Sequence, residues 1–93
     1  MSRTIWKFPL GEVNDLLTLS VPKGAELLTM QVQNGEPCIW ALVDPSAPKV
    51  TRAFAVRGTG HDASGLEASK HVGSFQLLGG RLVFHVFDLG ELP

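Results

Sequence analysis

The segment Gly58-Thr59-Gly60-His61 is where the sequence comes nearest to a recognisable chemistry. With Ala63 it satisfies Gly-x-Gly-x-x-Gly/Ala, the fingerprint that seats a dinucleotide pyrophosphate. That chemistry needs a βαβ unit of about thirty residues and an acidic partner about twenty residues further on. The chain leaves no room for the crossover helix, and no Gly-Lys-Ser/Thr follows to make a phosphate loop. What remains is a Gly-rich turn with exposed N–H groups, a hydroxyl and an imidazole, a combination able to cradle an anion. From Lys49 through His61 the charges up to the turn are Lys49, Arg52 and Arg57, all positive. The candidate anion site is therefore Arg52, Arg57, Gly58, Thr59, Gly60 and His61. Trp40 is added as a platform on which a base could stack. The plainer reading is a solvated strand ending in an ordinary turn.

Other constellations are weaker. His61, His71 and His85, with Asp62 and Cys38, have none of the spacings of a zinc site. Cys38 adjoins Pro37 with no helix N-terminus to lower its pKa, so a thiolate nucleophile is not expected. Asp44 heads an Asp-Pro turn and Asp88 closes a strand, both usual structural positions. No catalytic residue, metal or cofactor is expected, and the chain reads as a non-enzyme.

Ten Gly and six Pro are spread along the chain as punctuation, which suits an all-β fold. Strands are predicted at Thr4–Phe8, Leu16–Val21, Leu27–Gln33, Cys38–Val43, Val50–Arg57, Val72–Leu78 and Arg81–Leu89. Asn34-Gly35 is a strong hairpin signal, although Pro37, lacking an N–H, points to a loop longer than two residues. Gly79-Gly80 marks a second hairpin. Ser64-Gly65-Leu66-Glu67 fits a capping box, predicting one short helical turn at 64–70. The expected fold is a single β domain over 1–93: a small antiparallel sandwich or partly open barrel of about seven strands.

Alternation resolves the hairpins into faces. Leu28, Met30 and Val32 share a predicted core face with Ile39, Ala41 and Val43, leaving Trp40 among polar amides opposite. In the last strand Leu82, Phe84 and Val86 point one way, and Val83, His85 and Phe87 the other. A strand apolar on both faces is buried on both sides. The 93 residues are 44% hydrophobic and only 18% charged, an apolar surplus for a domain this small. A homo-oligomer with Val83, His85 and Phe87 in its interface is therefore expected.

Eight Lys and Arg against nine Asp and Glu give a net charge of −1, which argues against a globally basic nucleic-acid binder. One cysteine allows no internal disulfide. The first residues do not read as a secretory signal, and no stretch approaches the roughly 18 apolar residues of a membrane span. A cytoplasmic location is expected.

Four blocks carry a family resemblance: Ile5-Trp6-Lys7-Phe8-Pro9-Leu10; Gln31-Val32-Gln33-Asn34-Gly35-Glu36-Pro37-Cys38-Ile39-Trp40-Ala41-Leu42-Val43-Asp44-Pro45; Gly58-Thr59-Gly60-His61; and Gly73-Ser74-Phe75-Gln76-Leu77 through Gly79-Gly80-Arg81-Leu82-Val83-Phe84-His85-Val86-Phe87. They resemble a family of short uncharacterised proteins of tailed phages and prophages, over nearly the whole chain. Asp62 to His71 looks like its variable part, as a surface loop would be. The resemblance supplies no residue roles. It implies a phage accessory protein acting in the host cytoplasm, most simply by sequestering a small anionic, nucleotide-like signal of host defence. The alternatives are an inhibitor or adaptor that binds a host protein such as a CRISPR or other defence effector, and a minor virion or assembly component.

Overall fold

A computed structural model describes residues 2–93. Among these, seven strands form: β1 Thr4–Pro9, β2 Leu16–Pro22, β3 Glu26–Gln33, β4 Glu36–Val43, β5 Lys49–Gly58, β6 Lys70–Leu77 and β7 Leu82–Glu91. They make two antiparallel sheets, β1-β4-β3 and β2-β5-β7-β6. The sheets stack as a sandwich and do not close into a barrel.

Turn chemistry sets the hairpins. Asn34 and Gly35 both have positive φ, 53° and 79°, as a two-residue turn matched to strand twist requires. Gln33 pairs directly with Glu36, so the loop is not lengthened by Pro37. The pair beside such a turn exchanges hydrogen bonds and the next pair does not. Pro37, opposite Val32, thus lacks its N–H where β3 needs none. Its carbonyl accepts from the Leu10 N–H at 2.9 Å.

The expected helical turn at 64–70 is replaced by two successive reverse turns, Leu66 N–H to Ala63 O and Ser69 N–H to Leu66 O. Gly65, at φ 86°, leaves helical space directly after the presumed cap. The Ser64 hydroxyl donates to Asp62 instead of capping forward. The 3-10 turn among the described residues lies at Leu78–Gly80, inside the second hairpin.

The inner faces meet in two clusters. One gathers Leu17, Met30, Ile39, Phe54, Phe75 and Val86; the other gathers Val21, Ala25, Ala41 and Val43. Leu28 and Val32, expected in the core, are instead exposed at 45% and 38%. A bulge at Leu28 resets the alternation, so Leu27, opposite Ala41, and Met30, opposite Ile39, point inward together. Val32 lies at the exposed tip of the hairpin.

The sheets approach most closely where β3 passes β6. A Cβ on Gly73 would sit 3.2 Å from the Cβ of Met30. Because the Met30 stem cannot swing away, Gly73→Ala is expected to destabilise the fold by about 1–3 kcal/mol through overpacking. Urea unfolding measures this, and an unchanged midpoint would mean that the seam yields freely.

Candidate functional site

The outer face of the four-stranded sheet carries the site. Strand register places Arg57 opposite His85 and His85 opposite Ser74, a polar row across β5, β7 and β6. The neighbouring row is Leu16, Ala55, Phe87 and His71. Thr59 follows β5, and its N–H donates to Val83 O.

Side chains on this face form a continuous chain. Thr59 Oγ1 lies 2.7 Å from His85 Nε2. Ser74 Oγ lies 2.7 Å from His85 Nδ1. His71 Nε2 lies 3.3 Å from the same Ser74 oxygen. A neutral imidazole donates through one nitrogen and accepts through the other. Hydroxyls do either, so both tautomers of His85 are satisfied, and an imidazolium would donate to both. The His71 ring packs edge-on against Phe87, with centroids 5.3 Å apart.

Arg57 borders the chain and makes no ion pair among the described residues, though its charge reaches the Asp62 carboxylate. One of its terminal nitrogens donates to the Asp15 and Val56 carbonyls, at 2.9 Å each. Beside Thr59 a shallow hollow of about 310 Å³ is lined by Gly58, His61, Arg81, Val83 and Phe84. Gly58 makes room for the His61 ring: a Cβ there would lie 2.9 Å from ring Cε1 and Nδ1. Gly60 takes the turn at φ 86°.

The structure thus gathers Arg57 and Thr59 with Val83, His85 and Phe87 on the outer face, whereas the His61 ring packs where a Cβ on Gly58 would point, on the side of Phe84. It does not bring in Arg52 or Trp40. Arg52 is an odd number of residues from Arg57 on β5 and so faces inward. There it makes a two-pronged bond to Asp88, Nε at 3.1 Å and Nη2 at 2.6 Å, while Nη1 donates to Ala25 O. Trp40 lies on the outer face of the other sheet, between Lys7 and Thr29. Two N–H groups of the glycine turn are also committed, Thr59 to Val83 O and His61 to Gly58 O, so side chains provide most of the available donors.

Ser74, His71 and Arg81 are site residues the sequence reading missed. Counting back equally from Gly79-Gly80 on both strands sets Ser74 opposite His85, so that pairing was readable. His71 was not, because a bulge at Val72 shifts its register. Among the described residues, no group of three or more His, Cys, Asp or Glu could hold a metal, and no helix is long and apolar enough to cross a membrane. Cys38 is buried, with its sulfur 3.4 Å from Glu36 O.

No curated protein and no solved structure matches the chain. A family model described as Domain of unknown function (DUF7352) matches residues 1–92, and the chain belongs to that family.

Proposed function

We propose that the chain is a non-enzymatic accessory binding protein of the phage type. On this reading it holds the anionic group of a small nucleotide-like ligand against the outer face of the four-stranded sheet. The observation that carries the reading is the Thr59–His85–Ser74–His71 chain beside a guanidinium that makes no ion pair among the described residues. Hydroxyls and imidazoles already aligned need little reordering to donate to phosphoryl oxygens. The cations Arg57 and Arg81 favour the negative charge. The adjoining Leu16–Ala55–Phe87 row offers an apolar bed for a ring. Sequestration of a host-defence signal in the host cytoplasm requires no reacting group. A second copy meeting the first through Val83, His85 and Phe87 would enclose the ligand and cover the half-buried apolar side chains of that face.

Calorimetric titration with cyclic di- and trinucleotides and ADP-ribose derivatives tests this. One of them is expected to bind. Arg57→Ala is expected to weaken it about 10- to 100-fold, the loss of one charge-assisted hydrogen bond, and His85→Ala, which releases the Thr59 and Ser74 hydroxyls that the ring aligns, to weaken it as well. Trp40→Ala is expected to leave binding unchanged. No heat from any ligand, or equal binding by both site variants, would remove the reading.

A further inference from the structure

A second cavity, of about 500 Å³, lies elsewhere, at the seam between the sheets. β3 and β6 are the outermost strands of their sheets on this side. They face one another without pairing, and each keeps backbone groups that no strand satisfies. Near Met30 and Gly73 the seam is tight. Toward Leu27–Leu28 and Lys70–Val72 it opens into the cavity.

Three bulges shape that opening: at Leu28 in β3, at Val72 in β6 and at Leu89 in β7, next to Asp88. Bulges end pairing and re-aim side chains, and they concentrate beside functional sites. Their convergence here is the strongest local sign of a built opening.

The charges of the cleft are unevenly satisfied. Arg52 and Asp88 at its floor are committed to each other, and Arg52 also to Ala25 O. Glu26 at the rim is paired with Arg3 at 3.8 Å. Glu91 accepts from the Gly24 N–H at 2.7 Å. Lys70 lies opposite Asp88, and its charge acts on that carboxylate, but it is exposed and makes no ion pair or hydrogen bond among the described residues. The walls are apolar, from Leu27, Leu28 and Val72, and Leu28 is 45% exposed. Free strand edges, apolar walls and one exposed ammonium together define an occupant.

We propose that this cleft takes an extended segment of a partner protein, added as a strand along the free edge of β3. The segment alternates apolar residues, which meet Leu27, Leu28 and Val72, with acidic residues, which meet Lys70. Main-chain hydrogen bonds supply affinity in such additions, and alternate side chains supply selectivity. The part of this edge that lines the cleft is Glu26–Leu28, about three residues of extended chain. The cleft touches the His85 network at His71, which lines it, and the variants below tell this proposal apart from the ligand reading above.

The test uses the ¹⁵N-labelled full chain and three synthetic peptides: acetyl-(Val-Asp)₃-amide, acetyl-(Val-Lys)₃-amide, and the acidic peptide with its central Val replaced by Pro. The acidic peptide is expected to give saturable amide shifts centred on residues 26–28 and 70–73, and the other two none. Lys70→Glu, an exposed change, is expected to weaken the acidic peptide at least tenfold and to admit the lysine peptide. Leu28→Asp is expected to weaken the acidic peptide. Absence of saturable shifts, equal response to the proline peptide, shifts mapping to another face, or indifference to Lys70→Glu would each overturn the proposal. His85→Ala leaves the peptide response intact, and Lys70→Glu leaves nucleotide binding intact, so the two readings are tested separately.

Discussion

Asp88→Ala is expected to destabilise the domain by about 3–5 kcal/mol, because it strands the Arg52 guanidinium without its counter-charge. The pair is enclosed: 14% of the Arg52 side chain and 9% of the Asp88 side chain remain exposed. The cleft beside it admits water to Arg52, which places the expected cost toward the lower end of that range. Replacing both partners, Arg52→Met with Asp88→Leu, is expected to restore most of the loss, since an apolar pair leaves no uncompensated charge. Urea unfolding of the two variants checks this, and a cost below about 1 kcal/mol for Asp88→Ala would show the pair to be as weak as a surface one.

The same pair predicts a pH dependence. Burial pushes the Asp88 carboxyl up. The Arg52 hydrogen bonds, the Gly90 N–H and the charges of Arg52 and Lys70 outweigh that and hold it below the ordinary carboxylate range. The folded chain therefore binds the Asp88 proton less readily than the unfolded chain does. The stability it contributes is present above the unfolded carboxyl value of about 4 and is lost as the pH falls through the folded value below it. Between pH 7 and pH 3 the parent is expected to lose more stability than Asp88→Ala. Parallel pH profiles would contradict that assignment.

Phe54→Ala is the other large effect. Phe54 is wholly buried, opposite Leu17 on β2 and Asp88 on β7, and it belongs to the larger cluster between the sheets. Emptying that volume is expected to cost about 3–5 kcal/mol. Domains of this size are typically stable by only about 5–15 kcal/mol, and each lost kcal/mol lowers the melting temperature by roughly 4–8 °C. Thermal melts followed by circular dichroism should show the Phe54 variant partly unfolded near physiological temperature. Leu16→Ala, on the outer face of the same sheet at 61% exposure, is expected to change stability by no more than about 0.5 kcal/mol. Equal losses at the two positions would mean that the outer face is covered.

Local chemistry is strong where a few neighbouring residues decide the outcome, and there the sequence was legible. Asn34-Gly35 requires two positive φ angles and so closes its hairpin whatever the rest of the chain does. The inward Phe84 and Val86 and the outward Val83, His85 and Phe87 follow from the two-residue period of a strand. That same period separates Arg52 from Arg57: strung along one segment they looked like a basic strip, yet opposite parity sends them to opposite faces of the sheet.

By itself the sequence determined the all-β class, the strand succession, the register of the second hairpin next to its turn and the apolar excess on the outer face of β7. Tertiary structure alone decided the rest. Bulges at Leu28, Val72 and Leu89 depend on how strands settle across a seam, and each shifts every later side chain by one face. Strand order is likewise non-local. It places β7 between β5 and β6, bringing Thr59, Ser74 and His71 around His85 while sending Trp40 to the other sheet. A run of residues encodes its own alternation, but which neighbours it meets depends on packing energies summed over the whole chain.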